Sequence, residues 1–250
     1  MEIITIANQK GGVGKSTTVH AMGSGLMLRG HRVLFVDLDS QGNLSYTMQA
    51  DDDVPSALDI LTGNANTANS IQHLKGGDLI AGTPALAGAD NLLLSELGKE
   101  YRLREALKDV SAYDYILIDT PPALGVLTIN ALTAASCAII PAQADIYSLQ
   151  GIGQLSNTIQ TVKQYCNPGL TIDGILLTRF NARAVLSRDI ADIVEDTAKQ
   201  LHTRLYKARI RENIAAKEAQ ANRQSLLVYA PKSNAASDYN HFLDEFLEDR

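Results

Sequence analysis

The sequence predicts an α/β fold, a mostly parallel twisted sheet with helices on both faces. Three observations carry that prediction. Short apolar runs alternate with longer segments of helical period, the pattern of stacked βα units. Several of the short runs are nearly continuous in apolar residues, as strands covered on both faces are. Carboxylates end two of them, at the edge where open α/β sheets bind ligands. The 250 residues, 45% of them hydrophobic, are read as one domain spanning 1–250. Lys and Arg number 22 against 28 Asp and Glu, a net charge of −6, which argues against nucleic-acid binding by the whole surface and leaves room only for a local basic patch. Cys137 and Cys166 are too few for a disulfide framework or a four-cysteine zinc site, so a reducing cytoplasm is the simplest compartment. No apolar run approaches the length of a membrane span, and the start lacks the charged region of a signal peptide.

In chain order, Ile-Ile-Thr-Ile-Ala at 3–7 is the first strand and 15–28 the first helix. A second strand covers 32–37. The stretch 51–77 is rich in Asn, Asp, Gly, Thr and Ser, and reads as an excursion from the sheet with one short helical phrase at 55–61. Further strands are expected at 78–81, 115–119, 137–141 and 172–178, where apolar runs recur. Helices are expected between and after them at 90–107, 125–135, 149–165 and 186–201. At 233–250, Ala235, Tyr239, Phe242, Leu243 and Phe246 recur at helical spacing with Asp238, Asp244, Glu245, Glu248 and Asp249 around them, an acidic helix docked on the body.

The turn between the first strand and helix carries the chemistry. Lys10-Gly11-Gly12-Val13-Gly14-Lys15-Ser16-Thr17 is a glycine-rich turn opening a helix. In such a P-loop the backbone N–H groups and the helix dipole face a polyphosphate, the lysine reaches the β and γ phosphates, and the next hydroxyl holds Mg²⁺. Lys15 and Ser16 take those two roles. Gln9 stands where the ordinary pattern has glycine, and the variant Lys-Gly-Gly-x-Gly-Lys-Ser is the deviant Walker A motif. Here the chain resembles the ParA/MinD family of P-loop ATPases. That resemblance implies ATP and Mg²⁺ as ligands, and a nucleotide-sandwich homodimer in which Lys10 reaches the partner's phosphates.

Two strand ends extend the resemblance. Asp37-Leu38-Asp39-Ser40-Gln41-Gly42-Asn43 is similar to the family's Asp-x-Asp-Pro-Gln-Gly-Asn, with serine in place of proline. It implies that Asp39 positions or activates the attacking water and that Asp37 supports the metal and a switch region. Tyr115 through Pro122 looks like the Walker B strand, with Asp119 reaching the metal through water. Thr178 and Asn181 fall where relatives close over adenine.

Thr120-Pro121-Pro122, Asn130-Ala131-Leu132, Ile139-Ile140-Pro141 and Gln143-Ala144 resemble the Soj-like ParA proteins. No helix-turn-helix segment stands before the P-loop strand, as in the short ParA type. The implied partners are nonspecific DNA and a ParB-type centromere-binding protein that stimulates hydrolysis, with no membrane, in a cytoplasmic protein that joins the nucleoid in its ATP state. Between 199 and 217 six basic residues face a single acid, Glu212, a local footprint suited to phosphate contacts. Arg183, Arg209, Arg211 and Lys217 are the DNA-contact candidates, although Arg211, Glu212 and Ala215 depart from the family's Pro, Arg and Arg. The weighed rivals are a MinD-like membrane ATPase, which needs a basic amphipathic tail; an iron–sulfur carrier, which needs cysteine ligands; an ATP-dependent biosynthetic enzyme of the same fold; and a bacterial tyrosine kinase with a tyrosine-rich tail.

Overall fold

Every residue of the two carboxylate-ended strands is buried, which places them inside a layered sheet. The computed structural model describes residues 1–248 and 250; Asp249, expected among the acids of the last helix, lies outside the described residues. The strands are β1 (Glu2–Ile6), β2 (Val33–Asp37), β3 (Ile71–Leu74), β4 (Gly77–Ile80), β5 (Tyr115–Asp119), β6 (Cys137–Gln143), β7 (Thr171–Phe180) and β8 (Arg204–Arg211). They form one sheet in the order β3-β4-β2-β5-β1-β6-β7-β8, parallel except for the antiparallel β3–β4 pair. The helices are α1 (Lys15–Leu28), α2 (Asn43–Met48), α3 (Ala57–Thr62), α4 (Thr67–Ser70), α5 (Ala89–Leu92), α6 (Arg102–Leu107), α7 (Val126–Ala134), α8 (Ile146–Tyr165), α9 (Val185–Gln200), α10 (Ile214–Ala221), α11 (Leu226–Tyr229) and α12 (Asn234–Glu248).

Alternation along the strands divides the core between two faces. Ile4, Ile6, Phe35 and Leu117 pack with Val19, Met22 and Leu26 of α1 and with Tyr239, Phe242 and Phe246 of α12. On the other face Val36, Ile116 and Ile118 meet α6 and α7, while Ile140, Ile175 and Leu177 meet α8 and α9. Register then sets the site. β1 lies between β5 and β6, and Asp119 of β5 is paired with Ile6 on one side and Asp37 on the other.

Three sequence expectations are corrected. The stretch 51–77 is not wholly outside the sheet: Ile71–Leu74 folds back through a Lys75-Gly76 turn as edge strand β3. Its polar Gln72 and His73 hide the strand period. The basic run contains an unforeseen strand, β8, in which only Tyr206 and Ile210 are buried. Its outward amides are covered by carboxylates of α12: Glu245 accepts from the N–H groups of Lys207 and Ala208, and Asp238 from that of Arg211. That charge-covered edge resists pairing with another chain. The helix expected over 90–107 is broken, because Gly98 turns the chain at φ 67° between α5 and α6.

Helix α1 is buried on almost every side because it approaches β2 at a glycine. A Cβ on Gly23 would fall 2.2 Å from the Phe35 ring. Helix propensity alone gives Gly23→Ala a gain of about 1 kcal/mol, whereas overpacking gives a loss of about 1–3 kcal/mol. The expected result is the loss, read as a lower urea midpoint.

Candidate nucleotide site

The P-loop is an exposed rim on a braced frame. Gly12 and Gly14 have φ of 74° and 86°, the left-handed region in which only glycine is relaxed, and Gly14 begins α1 with no side-chain cap. The first amides of α1 are thus left for a ligand. Neighbouring strands fix the loop from behind. Asn8 donates to the Pro141 carbonyl at 2.7 Å and accepts from the Lys10 amide at 2.9 Å. Gln143 donates to the Gly12 carbonyl at 2.9 Å, and the Thr178 hydroxyl to that of Val13 at 2.8 Å. Thr120 donates to the Ile6 carbonyl at 2.9 Å. Asn8, Thr120 and Gln143 were not assigned roles from sequence, since ordinary amides and hydroxyls carry no signal until the strand order brings them to the loop.

The loop forms one wall of a cavity of about 460 Å³, to which Gly11, Gly12, Gly14, Lys15, Ser16 and Thr17 all contribute. Asp39 and Pro122 face it from the neighbouring strand ends, and Asn43, Tyr46 and Gln220 close the far side. Val13 is buried behind the loop. Lys15 is 7% exposed; burial lowers its pKa, against the attraction of Asp119 and Asp39. Gln220 donates to the Thr17 hydroxyl at 2.9 Å, fixing α10 beside the loop. A second hollow of about 170 Å³ continues past Gly12 and Gly14, between Thr178–Arg179 and the segment from Ile210 to Lys217. Its mouth is bridged by an Arg179–Glu212 ion pair at 2.6 Å. Thr178 lines the hollow, but its hydroxyl hydrogen is committed to the P-loop, so it acts as a brace. Asn181 is exposed and its side chain accepts from the Arg183 amide at 3.1 Å; it does not line the hollow, where Arg179, Glu212, Asn213 and Gln220 stand instead.

Three carboxylates take different positions. Asp37 is fully buried and accepts from the Asp39 amide at 3.0 Å, the Ser45 amide at 2.9 Å and the Ser45 hydroxyl at 2.7 Å. Burial raises its pKa to about 6, with the Ser45 hydrogen bonds opposing. It therefore ties the loop after β2 to α2 and offers no oxygen to the cavity. Asp39 is at the cavity wall, one oxygen accepting from the Gln41 amide at 3.0 Å. Asp119 is fully buried and neither of its oxygens has a well-formed hydrogen bond. Burial and then the Asp37 charge push it well above the ordinary carboxylate range, against Ser16 and Lys15.

Those orphaned oxygens test the fit of Mg²⁺. A hard cation favours oxygen donors and commonly keeps waters while taking one or two carboxylates plus substrate phosphates. The Ser16 hydroxyl and Asp119 supply that donor set. Among the described residues no group of three or more His, Cys, Asp or Glu is placed to hold a metal without such help.

Lys10 points away from the cavity of its own chain. Its ammonium is bonded to Asp145 and lies 3.4 Å from the Gln143 oxygen and 3.5 Å from the Ser148 hydroxyl, at the start of α8. Burial pushes the Asp145 carboxyl up, but the bonds from Lys10 and the Ser148 amide win and hold it below its usual value. The DNA-contact candidates separate as well. Arg183 and Lys217 are exposed. Arg211 is spanned by Asp238 at 2.6 and 2.8 Å. Arg209 is half-buried on β8, donating to the Ala208 carbonyl, and burial lowers its pKa. The expected four-residue basic surface thus contains two solvated cations, one ion-paired arginine and one tucked against the body.

Comparison with known proteins agrees with this geometry. The AAA domain family matches residues 1–172. The sporulation initiation inhibitor protein Soj of Bacillus subtilis is 40% identical over 95% of both chains. The chromosome partitioning protein ParA of Myxococcus xanthus is 36% identical over 95% of this chain and 84% of its own. A solved structure of a cobyrinic acid a,c-diamide synthase from Mycobacterium smegmatis, with bound ATP analog and magnesium, is 35% identical with a TM-score of 0.84, covering 99% of this chain and 95% of that one. With a deviant Walker A loop, a carboxylate-ended strand on either side of the site and full-length likeness to Soj and ParA, the chain belongs to the ParA/Soj family of P-loop ATPases.

Proposed function

We propose that this protein is a DNA-partition ATPase: it binds ATP with Mg²⁺, forms a face-to-face homodimer, holds nonspecific DNA in that state, and lets go when hydrolysis is stimulated by a ParB-type centromere-binding protein. The position of Lys10 carries the reading. Its ammonium is absent from its own phosphate cavity yet tethered beside it, so the site gains its second lysine from another copy. The tether is weak enough for that exchange. A partly exposed ion pair contributes about 1 kcal/mol or less, small against what a specific dimer interface supplies.

The chain's own groups divide the labour of an in-line transfer of a phosphoryl group to water. The amides of the P-loop and Lys15 meet the phosphate oxygens and offset the charge that spreads over them. Ser16 and Asp119 would hold Mg²⁺, which would supply positive charge against that of the phosphates. Asp39, at the cavity wall, orients the water and accepts its proton, while Asp37 fixes the backbone from which Asp39 projects. With Lys10 supplied only in the dimer, turnover is slow in isolation and open to control. The protein acts in the cytoplasm and joins the nucleoid when ATP is bound; among the described residues no helix is long and apolar enough to cross a membrane. The chain forms a single ATPase domain.

DNA contact falls chiefly to Arg183 and Lys217. Arg211 contributes only after giving up Asp238, and Arg209 only after turning outward. The solved synthase supports one rival, an ATP-dependent biosynthetic enzyme. That reading expects turnover that depends on a small acceptor and ignores DNA, and the test is ATP hydrolysis with and without random-sequence duplex.

Lys15→Ala is expected to weaken ATP binding about 10–100-fold, the worth of a charge-assisted hydrogen bond, by titration with a fluorescent analogue. Asp39→Ala keeps ATP bound but slows hydrolysis at least about 100-fold, trapping the dimer on sizing columns; ordinary turnover would remove Asp39 from the chemistry. Arg183→Ala with Lys217→Ala leaves nucleotide binding intact and reduces the slope of log K against log salt for DNA by about 2 per subunit, about 4 for the dimer, close to one per lost phosphate contact.

A further inference from the structure

Behind the nucleotide site lies a second cavity of about 590 Å³. That is within the roughly 300–1,000 Å³ typical of small-molecule sites. Its walls come from α1, the end of α2, the β3–β4 turn and the segment joining α10 to α11. Met27, Met48 and Leu74 provide an apolar floor. Lys75 and Arg223 stand around it, and among the described residues no carboxylate lines it, a local reversal in a chain of net charge −6.

A polar group waits inside. His20 is 7% exposed and lines the cavity. Among the described residues its ring meets the edge of Phe35, with centroids 6.1 Å apart, and makes no hydrogen bond. Burial lowers its pKa to about 4, so at neutral pH it presents one donor and one acceptor. Its ring nitrogens are not sealed from solvent, so a polar atom of a ligand in the cavity can reach them.

The two cavities share structure. Thr47 of α2 lines both. His20 and Gln224 also line a void of about 10 Å³ that touches Ser16 and Thr17, roughly the room for one water. At the mouth, Gln49 and Arg223 hold left-handed backbones at φ 64° and 51°, costly for residues with a side chain. They are joined by a bond from the Gln49 side-chain Nε2 to the Arg223 carbonyl at 3.3 Å. The Arg223 guanidinium in turn covers the ring of Tyr46, at 4.2 Å, and Tyr46 faces the nucleotide cavity.

We propose that this cavity is a second ligand site, for a small amphipathic anion whose apolar body lies on Met27, Met48 and Leu74 and whose head meets Arg223, Lys75 and His20, and that its occupancy is felt at the nucleotide site through α2. The chain has four methionines, so methyl-labelled methionine in the full-length, nucleotide-free protein gives a direct probe. Titration with octanoate or octyl phosphate moves the Met27 and Met48 methyls saturably and leaves Met1 in place; the two heads compared tell which anion the site prefers. Octanol and octylamine bind at least tenfold more weakly. Arg223→Glu, or Lys75→Glu should the first variant misfold, weakens octanoate at least tenfold. Saturating octanoate changes the dissociation rate of a fluorescent ATP analogue at least threefold. Equal binding of octanol, no saturable shift at either methyl, or indifference to both charge reversals overturns the site, and an unchanged nucleotide rate overturns the coupling. Because the binding arm uses no nucleotide, its failure is separate from any failure of the partition-ATPase reading.

Discussion

Asp37 and Asp119 end adjacent strands opposite one another in register, both without exposed surface. Two carboxylates so placed cannot both carry charge cheaply. Each is pushed above its ordinary range, burial being the first cause and the other's charge adding to it for Asp119. The protein satisfies one with hydrogen bonds from Ser45 and the Asp39 amide and leaves the other bare. The pKa of Lys15 is lowered by burial, against the attraction of Asp119 and of Asp39. The site is therefore short of positive charge until a cation arrives, and the P-loop amides beside it are short of negative charge until phosphate arrives. A metal–polyphosphate answers both deficits at once, and the packing of α1 against β2 and β5 exists to hold that mismatch in place.

How far the sequence could be read follows from where chemistry is concentrated. The P-loop, Asp39 and Asp119 were legible because glycines and carboxylates at strand ends have few other reasons to occur in that order; the loop itself fixes where α1 begins, and a continuous apolar run ending in a carboxylate fixes β5. β8 was not legible, since charges on an edge strand look like a solvated surface. Thr178 was read as a base contact, and its bond to the Val13 carbonyl was not foreseen, because the two are far apart along the chain and meet only through the strand order β1-β6-β7. The same distance hid Asp145, whose meaning comes entirely from Lys10.

Lys10 also shows how a local interaction limits a global one. Its bond to Asp145 uses the capping residue of α8, whose other oxygen accepts from the amides of Tyr147 and Ser148. Lys10 thus neutralises a carboxylate that would otherwise be stabilised only by a helix terminus. When Lys10 leaves, the cap remains and Asp145 keeps most of its partners, so release costs little and leaves no orphan in the core. A signature lysine bonded to a wholly buried acid would be trapped there.

The distribution of charge over the opposite edge follows the same economy. Three carboxylates of α12 are spent inside the chain: Asp238 on Arg211, Glu245 on the amides of β8, and Asp244 on Arg29, just past the end of α1. They close an exposed sheet edge, where unpaired amides would invite strand addition, and they dock α12 over the apolar face of α1. The cost is that arginines on β8 are muted as DNA contacts. On the proposed partition reading, a positive surface in the ATP state is assembled from cations outside that network, Arg183 on the loop before α9 and Lys217 on α10. Of these two segments, α10 borders the smaller hollow beside the P-loop, with Lys217 across from Arg179 of β7, whereas Arg183 on the loop before α9 stands outside it, so a change in the P-loop reaches the two cations by different routes.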